Sequence, residues 1–137
     1  MDRIQEKLNE LWVGTIQEFE YNVIMHTIKM QIIVLENNIK KNYEVIFKGV
    51  SSCYCVENTR DRRHNLHAFY NGDFLEVSSL WYFKYGIGDI CINSITENWA
   101  NQYGSNANFC LEVWDAMIFI ESNCVVINNE SNDVDYP

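Results

Sequence analysis

Residues 23–47, "VIMHTIKMQIIVLENNIKKNYEVIF", alternate apolar and polar side chains on both sides of a short polar segment. In the first half, one face carries Ile24, Ile28, Met30, Ile32 and Val34. In the second half, one face carries Tyr43, Val45 and Phe47. A period of two is typical of a β-strand with one buried face, and the segment "ENNIKKN" between the halves predicts a turn.

The same period extends outward through the rest of the chain. It covers residues 15–21, 75–85 and 109–113, and "ESN" at 121–123 reads as a turn into the return strand "CVVIN". At the start, a short amphipathic helix is predicted from Ile4, Leu8, Leu11 and Trp12. Turns rather than helical crossovers join the strands, which favours antiparallel pairing.

These patterns predict a mainly β protein with one domain of antiparallel strands, a sandwich or partial barrel, and a short N-terminal helix. The domain is expected to span residues 1–129. Residues 130–137 are polar and acidic, and we expect a flexible acidic tail there.

The chain is strongly acidic: its 137 residues carry a formal net charge of −9. This charge argues against nucleic acid and against an anionic membrane as partners, and it is compatible with a basic protein partner. The first residues are charged throughout and contain no apolar signal region, so we expect a cytoplasmic protein. An odd set of five cysteines without such a signal indicates reduced thiols.

A zinc site is the first hypothesis that the histidines and cysteines raise. Cys53, Cys55, His64 and His67 offer suitable ligand atoms. On a strand, however, Cys53 and Cys55 would point to one face about 6.6 Å apart, whereas two thiolates on one zinc ion sit roughly 3.8 Å apart. We therefore predict no metal and no other cofactor.

Catalytic constellations are not evident either. His26 is in phase with Ile24 and Ile28, so we expect it at the core or its edge, where a histidine is most often a satisfied structural residue. Glu112 and Asp115 are three residues apart, and on a strand this spacing sends them to opposite faces. We expect the protein not to be an enzyme.

The remaining candidates concern a protein-binding surface. Aromatic side chains amid charges are typical of interface hot spots, although a plain solubilising surface has the same composition. The residues that we assign to this hypothetical surface are Glu112, Asp115, Trp99, Arg62 and His64.

Three segments together resemble a known family. They are "LNELWVGTIQEFEYN" at 8–22, "YEVIFKGVSSCYCVENT" at 43–59 and "NFCLEVWDAMIFIESNCVVIN" at 108–128. With their motifs F-x-G-V-S-S and E-V-W-D-A-x-x-F-I-E, they resemble the YxiG-like group of small bacterial proteins. The resemblance implies a role as an immunity protein, encoded beside a secreted polymorphic toxin, and it implies no catalytic residue.

The functional hypothesis is thus a cytosolic protein-binding domain, an immunity protein that neutralises a cognate toxin by stoichiometric binding. The alternative is a structural or housekeeping module of unknown role that forms a homodimer through an exposed sheet edge. A small enzyme is a distant third.

Overall fold

The alternating residues form a meander of three long strands. The computed structural model describes residues 3–57, 74–114 and 116–137. The meander consists of β1 Thr15–Asn22, β2 Thr27–Glu36 and β3 Ile39–Lys48. Each pairs antiparallel with the next, and along β2 every second side chain is buried because one face of the sheet covers the core.

Three further strands complete this first sheet, here called the large sheet. They are β5 Leu75–Glu76, β11 Cys124–Ile127 and β12 Glu130–Asp133. The strand order is β12-β11-β3-β2-β1-β5, and all of its pairs are antiparallel.

A second sheet, the small sheet, lies against it. Its strands are β4 Ser52–Glu57, β6 Ser79–Tyr82, β9 Phe109–Val113 and β10 Ala116–Glu121. Their order is β4-β10-β9-β6, again antiparallel. Between β6 and β9, the short strands β7 Ile90–Cys91 and β8 Gly104–Ser105 pair only with each other among the described residues.

One hydrophobic core lies between the two sheets. Phe47 of β3 and Phe109 of β9 are fully buried, and their rings meet edge to face at 5.0 Å. Tyr82 of β6 packs on Phe109 at 5.2 Å between ring centroids. The prediction of a mainly β, antiparallel domain with a short N-terminal helix is confirmed.

The helix α1, Arg3–Asn9, bridges the two sheets. Its Leu8 is fully buried in the common core. Gln5 donates from Nε2 to Leu80 O of β6 at 2.9 Å and accepts from Tyr82 N at 2.8 Å. On its other side, Lys7 forms an ion pair with Glu130 of β12. The helix therefore binds one edge strand of each sheet.

The chain crosses between the sheets at two places. After β3 it bends at Gly49, whose φ of 61° is a left-handed value that favours glycine, and it enters β4. After β10 it crosses back through residues 122–123 into β11. The predicted hairpin turn at 121–123 is therefore wrong, because β11 pairs with β3 and β12 while β10 stays in the small sheet.

The second crossing is built around two buried polar residues. Asn108 and Ser122 are both fully buried. Asn108 donates from Nδ2 to Ser122 O at 2.8 Å, and its Oδ1 accepts from Ser122 N at 3.0 Å. The Ser122 hydroxyl lies 2.6 Å from Lys48 O, the end of β3. This polar node joins three parts of the chain at one end of the sandwich.

The prediction that the second long strand begins at Val23 is wrong. Asn22 pairs with Thr27, so residues 23–26 form the turn of the β1–β2 hairpin. His26 has a φ of 57° and is exposed, not in the core, and Ile24 is 87% exposed. The prediction extended the strand too far because Ile24, in the turn, continues the alternation of apolar and polar residues that belongs to β2.

The expectation of a flexible tail from residue 130 also fails. Glu130–Asp133 is an edge strand in register with β11, and the Tyr136 hydroxyl donates to Gly49 O. Edge strands tolerate charged and polar side chains because only one of their sides is paired. A polar, acidic edge strand therefore has the same composition as a flexible tail, and composition alone does not distinguish them.

The described residues contain no helix of the length and apolar character needed to cross a membrane.

Candidate partner-binding surface

A long excursion separates the neighbouring strands β6 and β9. We call residues 83–108 the arm. It contains β7, β8 and a 3-10 helix, Asn98–Gln102. Because β6 and β9 are adjacent in the small sheet, both ends of the arm are anchored side by side on a buried scaffold.

Hydrogen bonds fix the base of the arm. Phe83 N donates to Asn108 O at 2.8 Å, and Ile87 N donates to Ala107 O at 2.9 Å. The Oδ1 of Asn106 accepts from Gly88 N at 3.0 Å. A β-carbon at Gly86 would lie only 1.9 Å from that Oδ1, so this close approach requires glycine.

The outer part of the arm holds its tryptophan in a defined position. Trp99 lies in the 3-10 helix, and its Nε1 donates to Glu97 Oε2 at 2.8 Å. Its ring meets Tyr103 edge to face at 6.4 Å. Ser94 Oγ accepts from Glu97 N at 3.0 Å, which orders the turn before the helix. Trp99 is nevertheless 64% exposed.

The arm exposes several large apolar side chains. Ile95, at 98% exposure, has almost no contact with the rest of the molecule. The other large exposed apolar side chains of the arm are Tyr85, Ile87, Ile90, Ile92, Trp99 and Tyr103. Several large apolar side chains exposed on one segment are a feature of interaction sites in soluble proteins, whereas single exposed residues are ordinary.

A second apolar projection leaves the same end of the sandwich. We call residues 23–26 the tip loop, and its Val23, Ile24 and Met25 are all exposed. Thr27, at the base of this loop, pairs with Lys48, whose carbonyl accepts from Ser122. Since Ser122 is bonded to Asn108, where the arm ends, the polar node ties both projections to one end of the molecule.

Acidic groups border these projections. Glu20, Asp89 and Glu97 are exposed. Lys84 lies over the ring of Tyr85, with 5.6 Å between its Nζ and the ring centroid. Lys48, which pairs with Thr27 at the base of the tip loop, is exposed as well. The charged groups named around the apolar surface are therefore mixed in sign, three acidic and two basic.

Two of the predicted partner-binding residues, Trp99 and Glu112, lie in the described part of the chain. Trp99 belongs to the arm, which joins β9 at Phe109, whereas Glu112 is near the other end of β9. Glu112 Oε1 accepts from the Ser79 hydroxyl at 3.0 Å, and that Oγ accepts from Trp81 Nε1 at 2.9 Å. Glu112 thus has a structural partner within the small sheet.

The other predicted residues lie outside what the structure describes. Arg62, His64 and Asp115 fall among the residues not described, and so does His67 of the hypothetical zinc set. Sequence reasoning missed Ile24 and Ile95. For Ile95, the sequence did contain an indication of exposure: the isoleucines in 87–95 follow neither the period of a strand nor that of a helix.

The two cysteines of the zinc hypothesis share a strand face. Cys53 and Cys55 of β4 pair with Ile120 and Ile118 of β10, both of which point into the core. Burial raises the pKa of Cys53 to about 11, with a further contribution from Cys55, and burial also raises the pKa of Cys55. Thiols of this kind stay protonated at neutral pH and are poor thiolate ligands. Among the described residues, no cluster of metal-binding side chains forms.

Raised thiol pKa values make stability depend on pH in the alkaline range. Burial also raises the pKa of Cys110 to about 11 from its ordinary value of 9.0. Between these values the unfolded chain has lost its thiol protons while the folded chain retains them, so unfolding becomes easier as pH rises. We expect the Cys53→Ala and Cys110→Ala double variant to reduce this slope by up to about 1.4 kcal/mol per pH unit for each thiol.

Urea denaturation at several pH values from 8 to 11 measures that slope. Cys91→Ala, at an exposed cysteine of the arm, is the matched control. Equal slopes for the wild type and the double variant would contradict this prediction.

Comparison with known proteins places the chain in a family. The model of the family described as "YxiG-like protein" matches residues 4–132. The chain is a member of the YxiG-like family. The match includes the whole arm, the small sheet, and all of the helix and the large sheet except Arg3 and Asp133.

A curated relative supports this membership. The protein named "Uncharacterized protein YxiG" from Bacillus subtilis (strain 168) is 28% identical over 134 residues, covering 92% of this chain and 91% of that protein. No solved structure matches the chain. The candidate surface of this YxiG-like protein therefore has to be interpreted from its own geometry.

Proposed function

We propose that this YxiG-like protein acts by binding another protein stoichiometrically, with the arm as the contact surface. In its specific form, the proposal is that of an immunity protein that neutralises a cognate toxin inside the cell. Binding alone would carry out this function, so no catalytic group is needed.

The observation that carries the proposal is the ordered but exposed Trp99. Its indole is held by Glu97 and Tyr103, so little conformational freedom remains to be lost on binding. Tryptophan is enriched among the residues that dominate interface energies. A rigid, exposed tryptophan on an anchored arm is suited to inserting into a pocket of a partner.

The toxin-directed form of the proposal is supported by the charge and by the family resemblance. A net charge of −9 would accelerate encounter with a basic toxin, because opposite fields steer association. The resemblance to a group of proteins encoded beside polymorphic toxins suggests where that partner is encoded.

A Trp99→Ala variant tests the proposal. The probe is the purified product of the gene next to the one encoding this chain, titrated calorimetrically. We expect the variant to bind at least about 30-fold more weakly, because truncation of a hot-spot residue costs 2 kcal/mol or more. Its unfolding free energy should change by less than about 1 kcal/mol, since the side chain is mostly exposed.

Phe74→Ala provides the matched control. Phe74 is an exposed aromatic residue that lies outside the arm, and its substitution should leave affinity unchanged. Lack of binding by the wild-type chain would reject the toxin-directed form, and equal affinities of Trp99→Ala and wild type would reject the arm as the contact.

A second candidate function is self-association through a sheet edge. β4 is the last strand of the small sheet and pairs only with β10 among the described residues. Val56 on this strand is 51% exposed. A strand at the edge of a sheet offers backbone groups with which a second copy can pair. Sedimentation equilibrium of the purified chain distinguishes the two candidate functions. Only self-association predicts a dimer when no other protein is present.

A further inference from the structure

We propose that the tip loop and the arm form one bipartite docking surface, which binds an apolar cleft with a basic rim on a different protein. This inference rests on the proposed function and specifies its partner. It adds Ile24 and Ile95 as the two leading contact residues.

The tip loop, like the arm, is held by hydrogen bonds. The turn that presents Ile24 is closed by Asn22 Oδ1, which accepts from Met25 N at 3.0 Å, and by His26 O, which accepts from Val50 N at 2.9 Å. Ile24 thus points outward from a hydrogen-bonded turn of known geometry. A preorganised loop loses little entropy when it binds.

Both projections expose a large apolar side chain to water. Ile24 is 87% exposed and Ile95 is 98% exposed. Burial of such a side chain in an apolar cleft favours binding because it removes apolar surface from water. Two of them on separate projections, tied together by the polar node, would engage a partner at the same time, so their contributions reinforce each other.

The charge of the chain favours a different protein as the partner over a second copy or a membrane. A second copy of this chain would bring Glu20, Asp89 and Glu97 toward the same acidic residues of its partner, and the whole chain carries −9. Like charges facing each other oppose association. The same charge disfavours an anionic membrane. A different protein with basic residues around an apolar cleft would complement both the exposed apolar side chains and the acidic residues near them.

Site-specific photocrosslinking tests this inference in the native host cells. A photoreactive phenylalanine analogue replaces Ile24, Ile95 or, as the matched control, Ile39. Ile39 is 63% exposed but lies in the β2–β3 hairpin at the opposite end of the sandwich. We expect positions 24 and 95 to capture the same polypeptide, identified by mass spectrometry, and position 39 not to capture it.

Affinity measurements with the captured polypeptide, once purified, complete the test. Ile24→Asp and Ile95→Asp should each weaken binding at least about 10-fold, and Ile39→Asp should not. Added salt should weaken wild-type binding because the steering charges are screened. No effect of Ile24→Asp, or affinity that does not depend on salt, overturns the inference.

The remaining outcomes separate the inference from the proposed function. Capture at 95 but not at 24 would leave the arm as a contact and reject the bipartite surface. Capture at neither position would reject both. A crosslinked pair of identical chains, or flotation of the purified chain with phosphatidylcholine vesicles, would replace the partner with a second copy or with a membrane and overturn the inference.

Discussion

A Phe109→Ala variant is expected to lose about 3–5 kcal/mol of unfolding free energy. Phe109 is fully buried where β9 of the small sheet meets β3 of the large sheet. Its ring contacts Phe47 at 5.0 Å and Tyr82 at 5.2 Å. Removal of the ring leaves a cavity between two sheets that many other contacts hold in place, so the cavity collapses only partly.

Urea denaturation followed by tryptophan fluorescence measures this loss. Since small domains have only 5–15 kcal/mol of stability, Phe109→Leu is a milder second variant, expected to cost less than about 2 kcal/mol. Phe74→Ala, at an exposed phenylalanine, serves as control and should cost under about 1 kcal/mol. Similar losses for Phe109→Ala and Phe74→Ala would show that the two sheets are not joined at this ring.

The second large effect is expected at Asn108. Its side chain satisfies both the N–H and the C=O of Ser122, and both residues are fully buried. Asn108→Ala would leave two backbone groups without a partner in the interior. At about 1–3 kcal/mol for each group, we expect a loss of roughly 2–6 kcal/mol in unfolding free energy.

The position of the polar node indicates which regions Asn108→Ala should destabilise. Amide hydrogen exchange should accelerate in the arm and around the crossing at 122–123, because Asn108 ends the first and anchors the second. Asn93→Ala replaces an exposed asparagine of the arm and should change neither stability nor exchange. If Asn108→Ala matched Asn93→Ala in stability and exchange, the prediction would be contradicted. Water would then have to form the hydrogen bonds to the Ser122 N–H and C=O in place of the asparagine.

Local patterns were sufficient to predict the framework of the fold. The alternation in β2 and β3 and the apolar spacing of α1 depend on neighbours a few residues away, and two strands and a helix are present there. Their bounds differ from the prediction: β3 begins at Ile39, inside the predicted turn, because residues 39–42 pair with β2, and α1 ends at Asn9. The antiparallel arrangement followed because the intervening turns are short. These features are encoded by period and length, which a single sequence displays directly.

Long-range choices were not predictable in the same way. The segment at 121–123 has the composition of a hairpin turn, but the chain crosses there to the other sheet, where Ser122 is hydrogen-bonded to the distant residues Asn108 and Lys48. Likewise, Ile24 reads as a strand residue until the register of Asn22 with Thr27 closes the turn before it. In both places the backbone conformation depends on a residue elsewhere in the chain, which the alternation of apolar and polar side chains does not reveal.

The candidate site was predicted in part. Trp99 was selected as an exposed aromatic residue, and its exposure is confirmed. Glu112 was selected for the same surface, but its bond to Ser79 and its position near the far end of β9 separate it from the arm. Exposure of an isoleucine such as Ile95 is a property of the tertiary fold, because nothing in its side chain distinguishes it from a core residue.

The bridge made by α1 has a consequence for the order of folding. Lys7 and Glu130 are separated by 123 positions, and Gln5 and Leu80 by 75. The helix therefore cannot complete its contacts until nearly all of the described chain has left the ribosome. During synthesis, Leu8 would stay available to solvent and to chaperones, and docking of the helix would be among the last and slowest events of maturation.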